Sequence, residues 1–223
     1  MQPADDSFPV ASPDGDSQAV TEPVAPARKR PKPGERRVQI LQTLAEMLER
    51  PGAERITTAA LAARLEVSEA ALYRHFASKA QMFEALIDFI ESSVFGLVNQ
   101  IAERETSGQA RAARVVTMVL QFGEKNPGMT RVMVGDALVY EHERLQQRMN
   151  FLFDKLEAVL RQNLREGAAD GEGAPLTPDR DAVVRASVLA AFMAGRLQRF
   201  ARSGFRLSPS EHLEQSLALL IAS

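Results

Sequence analysis

The chain has 223 residues, 45% of them hydrophobic and 25% charged, which is material for one large domain or two smaller ones. It has no cysteine, so disulfides, thiol nucleophiles, cysteine zinc sites and iron–sulfur clusters are excluded. The net charge of −2 hides unlike parts: −5 over residues 1–27, +5 over 28–82 and −2 over 83–223, an asymmetry that points to nucleic acid.

Residues 1–33 hold seven of the twelve prolines and few large apolar side chains. Such a segment buries too little surface to offset its ordering entropy, so a disordered, acidic, proline-rich tail is expected. It ends in a basic arm, Arg28-Lys29-Arg30-Pro31-Lys32, which suits a solubilising linker or a phosphate-tracking segment equally well. The order of a secretory signal, a basic stretch and then an apolar one, is not seen. No apolar run approaches the ~20 residues of a membrane span. A cytoplasmic location is the expectation.

From Glu35 the pattern turns helical. Ile40, Leu41, Leu44, Met47 and Leu48 recur at spacings of three and four until Pro51-Gly52 stops them. Two short helices follow, near 57–65 and 68–75, with Thr57 or Thr58 and then Ser68 as caps. Ser78-Lys79 opens a longer helix running to about 105. Further helices are predicted over 110–124, after Pro127, over about 142–167, over about 179–203 and from about 208 to the end. A Gly/Pro-rich loop is expected at 167–178. No alternating strand pattern occurs, so the predicted fold class is all-α, with about nine helices. The expected divisions are a tail at 1–33, a three-helix DNA-binding module at 34–82 and a larger helical domain at 83–223.

The pair of short helices after a longer one describes a helix-turn-helix, in which the second short helix is free to enter a DNA major groove. Its start is small-sided at Ala70, which permits close approach to the duplex, while Tyr73 and His75 present polar tips suited to phosphates or base edges. Lys79, Thr57 and Thr58 stand at helix starts, where backbone amides also attract phosphate. Leu61, Ala62, Leu65, Val67, Leu72 and Phe76 read as core. Tyr73 fits a buried tyrosine or a DNA contact, and a lone His75 fits a structural role as well as a functional one.

The string Leu72-Tyr73-Arg74-His75-Phe76-x-Ser78-Lys79, preceded by Thr57-Thr58-Ala59-x-Leu61-Ala62, resembles the DNA-binding domain of TetR-type regulators. Further pieces, among them Phe83-x-x-Leu86-Ile87-x-Phe89-Ile90-Glu91 and Phe122-Gly123-Glu124-x-Asn126-Pro127-Gly128, resemble a divergent branch of that family, the nucleoid occlusion factors. The likeness spans roughly 36–222 and leaves out the tail. It implies a homodimer on specific palindromic double-stranded DNA, associated with the nucleoid. When DNA-bound, such a protein antagonises the tubulin-like division protein FtsZ. The implied DNA contacts are Thr57, Thr58, Ser68, Glu69, Ala70, Tyr73, His75 and Lys79. The implied FtsZ contacts are Phe89, Lys125 and Asn126, although Phe89 also fits a core stripe and Asn126 a helix cap. A dimer is expected through the last two helices, at Ala191, Phe192, Gly195, Leu213, Leu217 and Leu220. An alternative within the family is a conventional repressor released by a small inducer.

Enzyme activity is not expected. The three histidines, His75, His142 and His212, lack metal-ligand spacing, and Glu141-His142-Glu143 lacks the second histidine of a zinc-protease motif. No nucleophile–base pair can be assembled, and no metal or cofactor is expected.

Overall fold

The computed structural model describes residues 34–50, 56–169 and 178–221. The tail, its basic arm and the Pro51-Gly52 stop lie outside the described residues, as does most of the predicted loop at 167–178. The described chain is all-α: α1 (Glu35–Leu48), α2 (Thr58–Arg64), α3 (Glu69–Tyr73), α4 (Lys79–Arg104), α5 (Gly108–Lys125), α6 (Pro127–Met133), α7 (Glu143–Ala169), α8 (Pro178–Arg202) and α9 (Leu213–Ile221). A 3₁₀ turn at Asp136–Leu138 links α6 to α7.

Helix starts are set by hydroxyl caps. The side chains of Thr57, Ser68, Ser78 and Ser107 each accept a hydrogen bond from an amide three residues on, satisfying donors that the helix cannot. At α4 Gln81 donates its amide to Ser78, while its own side chain accepts from the amide of Ala77, one residue before the cap, at 2.8 Å.

Helix α4 is the spine. Its 26 residues rise about 39 Å, and it crosses the expected boundary at 82/83 without a break. Met82, Phe83, Leu86, Ile87, Ile90, Val94 and Val98 form its buried stripe. Length and apolarity alone would suit a membrane span. However, Glu84 pairs with Arg144 (2.7 Å), and Asp88 and Glu91 pair with Arg148 (2.8 and 2.6 Å), all on α7. Burial works against the Arg148 charge. The bonds and charges of Asp88 and Glu91 outweigh it and raise the pKa above the ordinary arginine value.

Two close backbone crossings lock the helices. At the start of α5, a Cβ on Gly108 would stand 2.1 Å from the Asn163 carbonyl oxygen and 2.5 Å from the Gly167 nitrogen, so only glycine lets α5 meet α7 there. Gly167 lies inside α7, which runs on to Ala169, and a Cβ on it would stand 2.8 Å from the Gln109 nitrogen of α5. At the start of α6, a Cβ on Gly128 would stand 2.0 Å from the Ala45 carbonyl oxygen of α1. That contact seats the N-terminal module on the body. Replacing Gly128 by Ala should lower unfolding free energy by about 1–3 kcal/mol, the usual cost of overpacking, and urea denaturation measures it.

Candidate nucleic-acid interface and partner groove

Helices α2 and α3 are joined by a tight turn. The Val67 amide donates to Ala62 (3.0 Å) and the Glu66 amide to Ala63 (3.2 Å), while Glu66 takes the left-handed φ of 55°. This is a Schellman ending in which glutamate occupies the place usually given to glycine. Leu61, Ala62, Leu65, Leu72 and Phe76 pack beneath the turn with Ile40, Leu44 and Leu48 of α1. Arg37 of α1 lies over the Phe76 ring at 4.0 Å and donates to the His75 carbonyl at 2.5 Å, fastening the end of the recognition helix.

The sequence-predicted DNA contacts fall at the starts of α2 and α4 and along α3 and its end, in different chemical states. Thr57 and Ser68 are exposed but employed as caps. Thr58 donates its hydroxyl to a Glu69 carboxylate oxygen at 2.6 Å, tying the two helix starts together. Ala70 is exposed and Tyr73 is 45% exposed, so Tyr73 is a surface side chain and not a core tyrosine. His75 is half-buried. Lys79 is engaged: its ammonium pairs with Glu141, ahead of α7, at 2.5 Å. Two cations escaped the sequence reading. Arg64 and Arg74 are exposed at the ends of α2 and α3. Arg74 stands inside the motif, next to Tyr73, and its charge was the available signal.

The three-residue link between α4 and α5 makes them an antiparallel hairpin. A groove of about 600 Å³ opens between them, lined by Leu97, Ile101 and Arg104 of α4 and by Thr117, Met118 and Gln121 of α5. The Glu105–Arg114 pair, at 3.0 Å, stands at its loop end. Phe89 and Lys125 are exposed on the same two helices, toward the opposite end of the hairpin, with Phe89 at 51%. Phe89 is therefore surface and not core. Asn126 is half-buried and donates to the Phe122 carbonyl at 2.7 Å, so its side chain closes the turn between α5 and α6. Leu97 and Gln121 belong to the groove but were not among the predicted contacts. Only the hairpin geometry brings them together.

On α8, Val184, Val188, Ala191 and Gly195 form an exposed stripe at helical spacing, and Leu219 of α9 is 84% exposed. Ala191 and Gly195 were expected on such a face; Val184, Val188 and Leu219 were not singled out. Phe192, Leu217 and Leu220 are half-buried against the core, and Leu213 is buried in it. Leu213 therefore closes the core of the monomer.

Comparison with known proteins fits this geometry. Residues 40–86 match the model of bacterial regulatory proteins of the tetR family, and residues 107–223 match the SlmA-like, tetracyclin repressor-like C-terminal domain. The chain is 49% identical to nucleoid occlusion factor SlmA of Cronobacter sakazakii over 198 residues, covering 88% of this chain and 98% of that protein. It is 48% identical to SlmA of Photobacterium profundum, over 84% and 94% respectively. The chain belongs to the SlmA family. Among solved structures, a TetR/AcrR regulator from Thermobifida fusca matches with TM-score 0.63 at 20% identity, over 85% of this chain and 98% of that one. A TetR-family regulator from Bordetella parapertussis matches with TM-score 0.65 at 19% identity, over 85% and 96%. These two show the TetR-like fold of this SlmA-family chain and nothing finer.

Capping and contact roles can be separated by mutation. Tyr73→Ala should abolish specific DNA binding and leave stability within about 0.5 kcal/mol, as for an ordinary surface change. Thr57→Ala should weaken binding and also cost about 1 kcal/mol through the lost cap. Thermal melts and fluorescence-anisotropy titrations on the same samples measure both effects.

Proposed function

We propose that the protein is a nucleoid occlusion factor: a dimer that binds palindromic DNA on the nucleoid and, while bound, antagonises assembly of FtsZ. The observation that carries this reading is the 48–49% identity to SlmA proteins over nearly their whole length. An exposed recognition helix supports the DNA role. The groove between α4 and α5 supports a protein partner, since it lies on the two helices where the family resemblance puts FtsZ. Phe89 and Lys125 supply an apolar anchor and a cation for that partner, and Asn126 holds the turn beside them.

A dimer supplies the two-fold symmetry that a palindromic site needs, with two recognition helices about 34 Å apart. Its interface is the exposed stripe of α8 with Leu219 of α9. The small Ala191 and Gly195 let paired helices approach closely, and Phe192, Leu217 and Leu220 flank them. Val188→Asp should give monomers in analytical ultracentrifugation and weaken operator binding. A variant that remains dimeric excludes this face.

Sedimentation of FtsZ polymers tests the partner role. Protein loaded with site DNA should reduce the FtsZ that pellets, and protein alone should reduce it less. Phe89→Ala and Lys125→Ala should lose the effect and keep DNA affinity. If DNA-loaded wild-type protein leaves FtsZ pelleting unchanged, nucleoid occlusion through FtsZ is wrong.

A further inference from the structure

Sequence motif and helix position both make Lys79 a phosphate contact, yet the structure gives its charge away. Its ammonium lies 2.5 Å from Glu141, on the turn that follows the 3₁₀ segment. The Lys79 side chain is 26% exposed and that of Glu141 only 10%. The ammonium also lies 5.7 Å from the Phe83 ring, so the apolar core backs it on another side. A carboxylate so covered is costly to leave unpaired. Lys79 therefore cannot turn to a phosphate without stranding Glu141. If it stays, the pair is neutral and releases no counterion from DNA.

We propose that Glu141 is a positioning residue that sets DNA affinity: it holds and neutralises Lys79, so each subunit reads DNA with one cation fewer than the motif supplies. The remaining sequence-independent attraction comes from exposed cations such as Arg64 and Arg74 and from the amides at helix starts. Glu141 lies 62 residues beyond Lys79 and outside the reading head, so the body carries the restraint. An SlmA-family protein with a restrained non-specific term discriminates better between its sites and bulk chromosome, because non-specific binding is the electrostatic part.

This inference rests on the DNA-binding reading above, and one set of titrations separates the two. The full chain, Glu141→Gln and the double variant Glu141→Gln/Lys79→Met are titrated with site DNA and with scrambled DNA between about 50 and 200 mM salt. In Glu141→Gln the released ammonium should tighten binding to both DNAs and steepen the slope of log K against log salt by about 0.9 per subunit. The double variant replaces a neutral pair by a neutral pair, so its slope should equal that of wild type. A Glu141→Gln slope equal to or shallower than wild type overturns the proposal, as does a double-variant slope flatter than wild type by about one per subunit. The double variant decides even if Glu141→Gln fails to fold. Failure of wild-type protein to bind any DNA would instead overturn the DNA-binding reading itself.

Discussion

A single continuous helix carries both ends of the molecule's work. The first turn of α4 closes the helix-turn-helix core through Met82 and Phe83, and its last turns wall the groove through Leu97, Ile101 and Arg104. Its seven buried side chains cannot leave the core at one end without disturbing the other, because interiors are packed too densely to deform locally. The Gly128–Ala45 crossing adds a second weld, joining α1 of the reading head to α6 of the body. The DNA-binding module is therefore not a bead on a linker. It shares its core with the domain that carries the groove between α4 and α5.

Charge is distributed to match. Ion pairs run along the α4–α7 seam at Glu84, Asp88 and Glu91, each carboxylate on α4 facing an arginine on α7. At the DNA end the polarity reverses, with the lysine on α4 and the carboxylate ahead of α7. The +5 charge of residues 28–82 thus overstates what the folded head offers to phosphate, because part of it is cancelled from outside the module.

Much of the fold was legible in the sequence because its signals are local. Hydroxyl caps at Thr57, Ser68 and Ser78, apolar spacing in α1 and α7, and Pro127 after Asn126 each act within a few residues. What was not legible depends on contacts between distant residues. Gly167 marked the end of an expected helix and the start of an expected loop, yet it lies inside α7, packed against the start of α5. Leu213 had the spacing of an interface residue, yet it is buried in the monomer. Phe89 fitted a core stripe with Leu86 and Ile90, but the rotation of α4 places it outside. The turn at Glu66 carried no glycine to announce its left-handed backbone. Lys79 kept the position that its motif implies and found a partner that the motif does not contain.

A helix-turn-helix dimer of this fold can serve one neighbouring operon or the chromosome as a whole, and the distribution of its sites distinguishes the two. Chromatin immunoprecipitation across the genome of the source organism measures that distribution directly. Nucleoid occlusion predicts many occupied sites spread around the chromosome with a gap at the terminus, where division must finally be allowed. A single occupied site beside one operon would contradict it.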